Sequence, residues 1–427
     1  LQTDFSPATE PIPTLLARPR WRDTFDSLRI RNYRLYVVSQ IVSTTATWMQ
    51  RIAVDWLVLE LTGDTALVGL AVAVQFAPIL LFGAYGGVVA DRASKRAVLI
   101  GTQIAAAVLC SALAALVLLD VVVVWQVFAV AVALGLASAL EGPARAAFVS
   151  EMVGTSRLRN AIGVNATIFH LGGLTGPALS GMLIVLVGSG WSILINGASA
   201  VVVLVALLCM RPSELRPSPR QPRARGQIRA AIRYAATKPA IVWTLVTLAF
   251  VSTFGMTLPV LLTAMADDVY RSGATGYGLY SSLAALGALA GAILSTRRTV
   301  VRLRTIVTAA IVYGIVTAVA GLTSSVAVFA VALVGIGLSR LLFATAAESM
   351  TQLSSNLGIR GRVMSLYITV LLGGQAVGGV LMGWIAETWG ARTAFTLAGV
   401  VPAFAAITIA ILLARVGRAR RRLQTQR

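Results

Sequence analysis

Six side chains stand where a charge or a proton is unusual: Arg51, Asp55, Glu141, Arg145, His170 and Arg340 all interrupt long apolar runs of a 427-residue chain. A charge at the centre of a membrane helix costs about 2.5 to 3.5 kcal/mol unless it faces protein, water or a partner, so each needs a reason to be there. Arg51 and Asp55, like Glu141 and Arg145, are spaced i, i+4, which sets the two side chains next to each other on a helix. Each couple is therefore a self-neutralising pair, or a carboxylate balanced between burial and its arginine that takes up or drops a proton when the balance shifts. Glu141 is the favoured proton carrier, because it precedes Gly142-Pro143, where a broken helix admits water, whereas Asp55 falls nearer the outer surface. His170 is the single histidine, a residue type whose unperturbed pKa suits proton exchange. It lies about 200° around its helix from Gly172, which turns it toward a cavity or, on the plainer reading, toward a hydrogen bond with a neighbouring helix.

The rest of the inventory excludes whole classes of chemistry. One histidine and two cysteines, Cys110 and Cys209, both inside apolar runs, cannot assemble a Cys/His metal cluster or a disulfide framework. The two lysines, Lys95 and Lys238, do not follow glycine, so the phosphate-binding G-K-[ST] element is missing and any transport must run on a gradient. Nucleophile, base and metal are not available as a set, so no enzyme and no cofactor is expected.

The elements that hold these residues follow from composition. Hydrophobic residues make up 57% of the chain and charged residues 12%, where a soluble protein carries about 25% charged. The apolar residues come in runs of roughly 18 to 25, enough to cross ~30 Å of hydrocarbon. Twelve spans are expected, at 34–60, 65–89, 97–119, 121–146, 160–187, 191–210, 240–264, 275–296, 305–323, 326–347, 363–387 and 392–415. All but five of the 36 lysines and arginines fall in alternate segments between them; the opposite loops hold Arg271 and Arg392, and Arg51, Arg145 and Arg340 lie within spans. That asymmetry predicts both termini in the cytoplasm of a multi-pass plasma (inner) membrane protein, and it accounts for the formal charge of +20 without a nucleic-acid partner. Residues 1–33 are expected as a cytoplasmic segment without a signal-peptide core, 34–210 as a six-helix bundle, 240–415 as a second, and 416–427 as a basic tail. Between the bundles, residues 211–239 read as a basic linker in which Pro212, Pro217, Pro219 and Pro222 alternate with arginines. Its second part, around Ile228 and Ile232, has helical spacing and either lies on the inner membrane surface or is solvated.

The halves echo each other: Leu158-Arg159-Asn160 leading to Gly172-Gly173 has a counterpart in Ile359-Arg360-Gly361 leading to Gly373-Gly374. Repeated bundles put a binding site at their midplane interface. Between spans 2 and 3, Gly87, Asp91, Arg92, Lys95 and Arg96 resemble the G-x-x-x-D-R-x-G-R-K loop of the major facilitator superfamily, with Ser94 replacing its second glycine. In span 5, Gly163, Gly172, Gly176-Pro177 and Gly181 resemble the antiporter signature of that superfamily, with Ser180 in place of one glycine. Trp48 to Arg51 with Asp55-Trp56-Leu57, Glu141 to Arg145, and Asn160-Ala161 with Asn165 are similar to its enterobactin-exporter-like and macrolide-efflux-like branch.

The resemblance covers residues 28–415. It implies an all-α fold of twelve helices in two pseudo-symmetric bundles, with spans 1, 4, 7 and 10 around a central cavity. It also implies a monomeric efflux pump that exchanges protons for an amphiphilic drug or siderophore-like molecule. Span 5 is expected to pack its glycine segment against span 8, and Asp91 to meet Arg360 and Arg362 as a cytoplasmic latch. Read physically, Gly172 and Gly176 share a face that lets another helix approach closely, Gly163 does not share it, and Pro177 kinks the span. Trp48, Phe169, Trp243, Phe250, Phe254 and Phe343 are candidate cavity rings, and Trp125, Trp191 and Trp389 are expected in the interface belt. A proton-coupled nutrient importer, which needs a polar cavity, and a membrane enzyme or lipid-handling protein are the alternatives.

Overall fold

In hydrocarbon every backbone N–H and C=O must be bonded within its own segment, and apolar runs of this length solve that problem as helices. The computed structural model describes residues 26–215, 227–296, 302–356 and 360–425, and among them the regular structure is all helix. Among the described residues eleven helices are long and apolar enough to cross a membrane: α2 (Thr65–Arg92), α3 (Lys95–Leu118), α4 (Val124–Gly154), α5 (Asn160–Val187), α6 (Ser189–Leu208), α7 (Pro239–Val269), α8 (Gly273–Thr296), α9 (Leu303–Leu322), α10 (Val326–Leu353), α11 (Arg360–Trp389) and α12 (Ala391–Thr425). The twelfth, α1 (Arg31–Thr62), has the length at 32 residues but is more polar, carrying Gln40, Gln50, Arg51 and Asp55 on a largely buried helix. The fold is thus an all-α polytopic bundle of six plus six.

Helix ends follow local chemistry. Gly63 closes α1 at φ 63°, a left-handed value that a side chain would strain, and its N–H returns to Leu59 O at 2.7 Å. The next residue, Asp64, then opens α2 by accepting the Ala66 N–H at 2.6 Å. At Gly154 the backbone turns to φ 69°, which divides what would otherwise be one 64-residue helix into α4 and α5. The expected break at Gly142-Pro143 does not occur. Gly154 carries the non-helical torsions there, and both Pro143 and Pro177 sit in continuous helix.

Helix α7 departs most from a regular rod, and it runs past the expected end at 264 to Val269. Its turns widen to i→i+5 bonding over Val251–Gly255 and again over Met265–Val269. The Gly255 carbonyl left over by the first widening accepts the Tyr313 hydroxyl of α9 at 2.5 Å. In the linker, helix Gln227–Ala236 belongs to the second half: Ala235 is buried with Ile241 and Val363, and the Tyr234 hydroxyl accepts the Asn356 N–H at 3.1 Å.

The two halves meet through backbones at two crossings, both at the end remote from the linker. A Cβ built on Gly383 of α11 would stand 2.9 Å from Thr65 O and 3.1 Å from Gly69 Cα of α2. One on Gly181 of α5 would stand 2.7 Å from Ala274 O and 3.0 Å from Gly278 Cα of α8. A polar bond reinforces the first crossing, where Glu387 Oε2 accepts the Thr65 N–H at 2.9 Å. Bulk at these points has backbone on the other side and nowhere to go. We therefore expect Gly181→Leu to insert normally yet hold α5 and α8 apart, disfavouring the closed crossing by about 1 to 3 kcal/mol. Gly163, with nothing within 4 Å of its built Cβ, should accept the same change without effect. Spin-label distances between the remote ends of α5 and α8 check both outcomes.

Candidate functional site

Between the halves lies a cavity of about 380 Å³. Its wall takes Trp48, Arg51 and Asp55 from α1, Gln75 and Phe76 from α2, and Phe169 and His170 from α5. The second half supplies Met256, Leu258 and Pro259 from the stretch of α7 between its two widened turns, Tyr277 from α8, Arg340 from α10 and Gln375 from α11. The structure thus collects four of the six charged or titratable residues singled out in the sequence, Arg51, Asp55, His170 and Arg340. Glu141 and Arg145 are elsewhere.

Asp55 is 6% exposed, and its Oδ2 accepts the Tyr277 hydroxyl at 2.7 Å. That bond runs from α1 to α8 and so ties one half to the other across the cavity wall. Of the two readings that their spacing allows, Arg51 and Asp55 do not follow the self-neutralising pair; Arg51 is absent from the ion pairs among the described residues. Instead its guanidinium carbon lies 5.1 Å from the Trp48 ring centroid and 5.8 Å from that of Phe76, over two electron-rich faces that attract a cation. Phe169 meets Trp48 edge-on at 5.5 Å and His170 at 5.7 Å. Arg340 reaches the wall because Gly337, one turn earlier on α10, lets that helix press against the Ala284 carbonyl of α8. Neither a hydrogen bond nor an ion pair joins Arg340 to any described residue.

Glu141 and Arg145 are the self-neutralising couple that their spacing allows. They are ion-paired, and Glu141 Oε1 also accepts Gln103 Nε2 of α3 at 3.0 Å, which turns the carboxylate into the first half. Of the expected rings, Trp48 and Phe169 line the cavity, whereas Phe343 is fully buried and Trp243 and Phe254 pack on the core. Trp125, Trp191 and Trp389 are exposed, as belt residues are.

The glycine segment of α5 serves two neighbours rather than one. A Cβ on Gly172 would meet Thr44 Cγ2 at 2.9 Å and one on Gly176 would meet Thr45 O at 2.8 Å, so this face packs on α1. Contact with α8 falls to Pro177 and Gly181. Ser180, where the resembled signature has glycine, donates to Met49 O at 2.8 Å and fastens α5 to α1 as well. In the loop motif, Lys95 pairs with Glu151 at 3.3 Å and Arg96 Nε donates to Leu207 O at 2.9 Å, closing the end of α6. Gly87, Asp91, Arg92, Arg360 and Arg362 have helical backbone, and their side chains, with the latch expected of them, lie outside what the structure describes.

Tyr277, Gln75, Phe76 and Gln375 had no place in the sequence reading. Tyr277 shows in the sequence only as a hydroxyl in an apolar span; nothing local says that it faces Asp55, 222 residues away.

A twelve-helix bundle split into two halves around a charged cavity is the architecture of the major facilitator fold. Within that class the chain belongs to the transmembrane secretion effector family, whose model matches residues 22–424. It is similar to the enterobactin exporter EntS of Shigella boydii serotype 4 (strain Sb227), 24% identical over 263 residues, which are 62% of this chain and 62% of that protein. EntS of Escherichia coli O1:K1 / APEC matches to the same extent, 24% over 263 residues. The chain therefore spans less than two thirds of the length of these relatives. In fold it is similar to a bacterial homolog of the human lysosomal transporter Spinster in an inward-facing, occupied conformation, with TM-score 0.73, 16% identity and coverage of 90% of this chain and 97% of that one. The nucleoside transporter NupG gives TM-score 0.70 at 13% identity over 90% of this chain and 99% of that one.

The Glu141–Arg145 geometry predicts a structural pair. Glu141 and Arg145 touch directly on one helix face, and the coupling should be about 1 kcal/mol. Glu141→Gln or Arg145→Gln alone should lower thermal stability in detergent by more than half of what the double variant loses. Strictly additive losses would remove the coupling.

Proposed function

We propose that this protein is a proton-coupled exporter of a small amphiphilic molecule, working by alternating access with both termini in the cytoplasm of a plasma (inner) membrane. The observation that carries the reading is the Asp55–Tyr277 bond, because it joins the one carboxylate of the cavity to the opposite half. A bond to an ionised carboxylate is roughly twice as strong as one between neutral groups, so a proton on Asp55 loosens the tie. A ligand shifts a conformational equilibrium only through its unequal affinity for the two states. The proton qualifies, since the bond exists only while α1 and α8 are together.

Orientation rests on the basic residues, which gather at the end that carries the linker. With that end inside, the glycine crossings close the outer side and the structure corresponds to the inward-facing state. The cavity suits an amphiphile, with rings of Trp48, Phe76 and Phe169 beside a few polar groups. The names of the family and of the EntS relatives favour export over uptake.

Asp55 replaces Glu141 as the favoured proton carrier, since it combines the cavity with the interface and Glu141 has neither. In inside-out vesicles, Asp55→Asn should reduce pH-driven substrate accumulation to the level seen with a protonophore while sparing counterflow, which needs no net proton movement. Glu141→Gln should keep proton-driven accumulation once corrected for the amount of folded protein. Undiminished pH-driven accumulation by Asp55→Asn would remove Asp55 from the mechanism.

A further inference from the structure

Charge in the cavity is lopsided. Two guanidiniums, Arg51 and Arg340, face it against one carboxylate, Asp55, which is engaged with Tyr277. Elsewhere the chain neutralises its inner charges: Glu141 holds Arg145, and Lys95 pairs with Glu151. Among the described residues the cavity arginines have no such partner. Arg51 rests on the Trp48 and Phe76 rings, and Arg340 has neither hydrogen bond nor ion pair among the described residues. The neighbouring groups do not fill the gap: the Tyr313 hydroxyl is given to Gly255 O, and the His170 imidazole brings no negative charge.

An arginine inside the membrane thickness is tolerated when it faces water or a ligand, and its planar fork of five N–H donors matches a carboxylate, phosphate or sulfonate. The two arginines come from opposite halves, α1 and α10, so one anionic group drawn into the cavity is attracted from both sides. Around them, Trp48, Phe76 and Phe169 give flat apolar surface large enough for a ring system. We infer that this site takes an amphiphilic organic anion, its anionic group held by Arg340 with Arg51 assisting and its apolar or aromatic body laid against the three rings. The inference rests on the cavity being the substrate site, and it assumes neither a proton nor a direction.

Three anthracene probes separate charge from shape: anthracene-9-carboxylate, 9-anthracenemethanol and 9-anthracenylmethylammonium share one ring system and differ in charge. Binding to the full chain in phosphatidylcholine nanodiscs is read by isothermal titration calorimetry against empty nanodiscs. The carboxylate should bind roughly 10- to 100-fold tighter than the alcohol, the value of a charge-assisted hydrogen bond, with the ammonium weakest. Arg340→Gln should collapse the carboxylate-to-alcohol ratio toward one, and Arg340→Lys, which keeps the charge without the fork, should restore part of it. Arg51→Gln should lower the same ratio, which keeps the idea testable if Arg340→Gln does not fold. Alcohol or ammonium binding as tightly as carboxylate in the native chain would overturn the inference, as would binding of none of the three. A ratio unchanged in Arg340→Gln would overturn the assignment to Arg340. No gradient is applied, so charge selectivity survives if proton coupling fails, and proton-driven efflux survives if the selectivity is absent.

Discussion

Lipid tails are as apolar as leucine, so nothing in the bilayer pushes two apolar helices together; association has to come from close packing and a few polar bonds. That constraint explains where this chain puts its glycines. Gly69, Gly379 and Gly383 on one side, and Gly181 and Gly278 on the other, bring backbones of opposite halves into contact. The same device, in Gly172 and Gly176 against α1 and in Gly314 and Gly399 between α9 and α12, holds each half together internally. What separates the two uses is the reinforcement. Within the first half, Ser180 bonds Met49 O, Thr47 bonds Asn196, and Asn196 bonds Gln50, so the packing is locked by buried polar groups. Across the halves the polar reinforcement among the described residues is sparse, with Asp55–Tyr277 and Glu387–Thr65 as its members. An interface of close but lightly bonded backbones can open without stranding many buried donors, as the proposed alternating access requires.

Charges are distributed by the same logic. Where a carboxylate and an arginine share a helix face and no other contact draws them apart, as at Glu141 and Arg145, they pair and cancel. At Arg51 and Asp55 the spacing is identical but the competition is not. Trp48 lies one turn before Arg51 and Phe76 opposite it, while Tyr277 offers Asp55 a hydroxyl from the other half. The outcome turns on which partner each group can reach, because every candidate contact here is worth a similar one or two kcal/mol.

Much of the fold was legible because it depends on one-dimensional quantities: the length of apolar runs and the placement of arginines between them. The candidate site was legible in part, since Arg51, Asp55, His170 and Arg340 stand out by cost alone. Partners were not legible. Helical periodicity says that Gly172 and Gly176 share a face; it does not say that the face meets α1 while Gly181 meets α8. Nor does it reveal that Pro143 is accommodated in an unbroken helix while Gly154, a residue with no special company, supplies the turn. The widened turns of α7 hid for a related reason, because the Gly255 carbonyl they release is satisfied by Tyr313, which belongs to a helix two spans further on.

The proposed proton exchange and the proposed anionic substrate pull against each other locally, and the geometry suggests how both fit one cavity. Like charges repel, so an ionised Asp55 does not welcome an anion nearby, and exchange cannot rest on the two competing for a single positive spot. It can rest on the tie. In the proposed mechanism a proton would weaken the Asp55–Tyr277 bond by neutralising the acceptor, and an anion at the wall would weaken it by offering the Tyr277 hydroxyl a second acceptor. On that proposal either ligand alone would free α8 from α1, while the empty, ionised cavity would stay closed at its outer end, which is the condition that prevents a leak. The membrane potential adds direction. Moving one elementary charge across it is worth about 2.3 kcal/mol per 100 mV, so one monoanion leaving a negative interior as one proton enters gains about twice that. The same step run as uptake would have to oppose it.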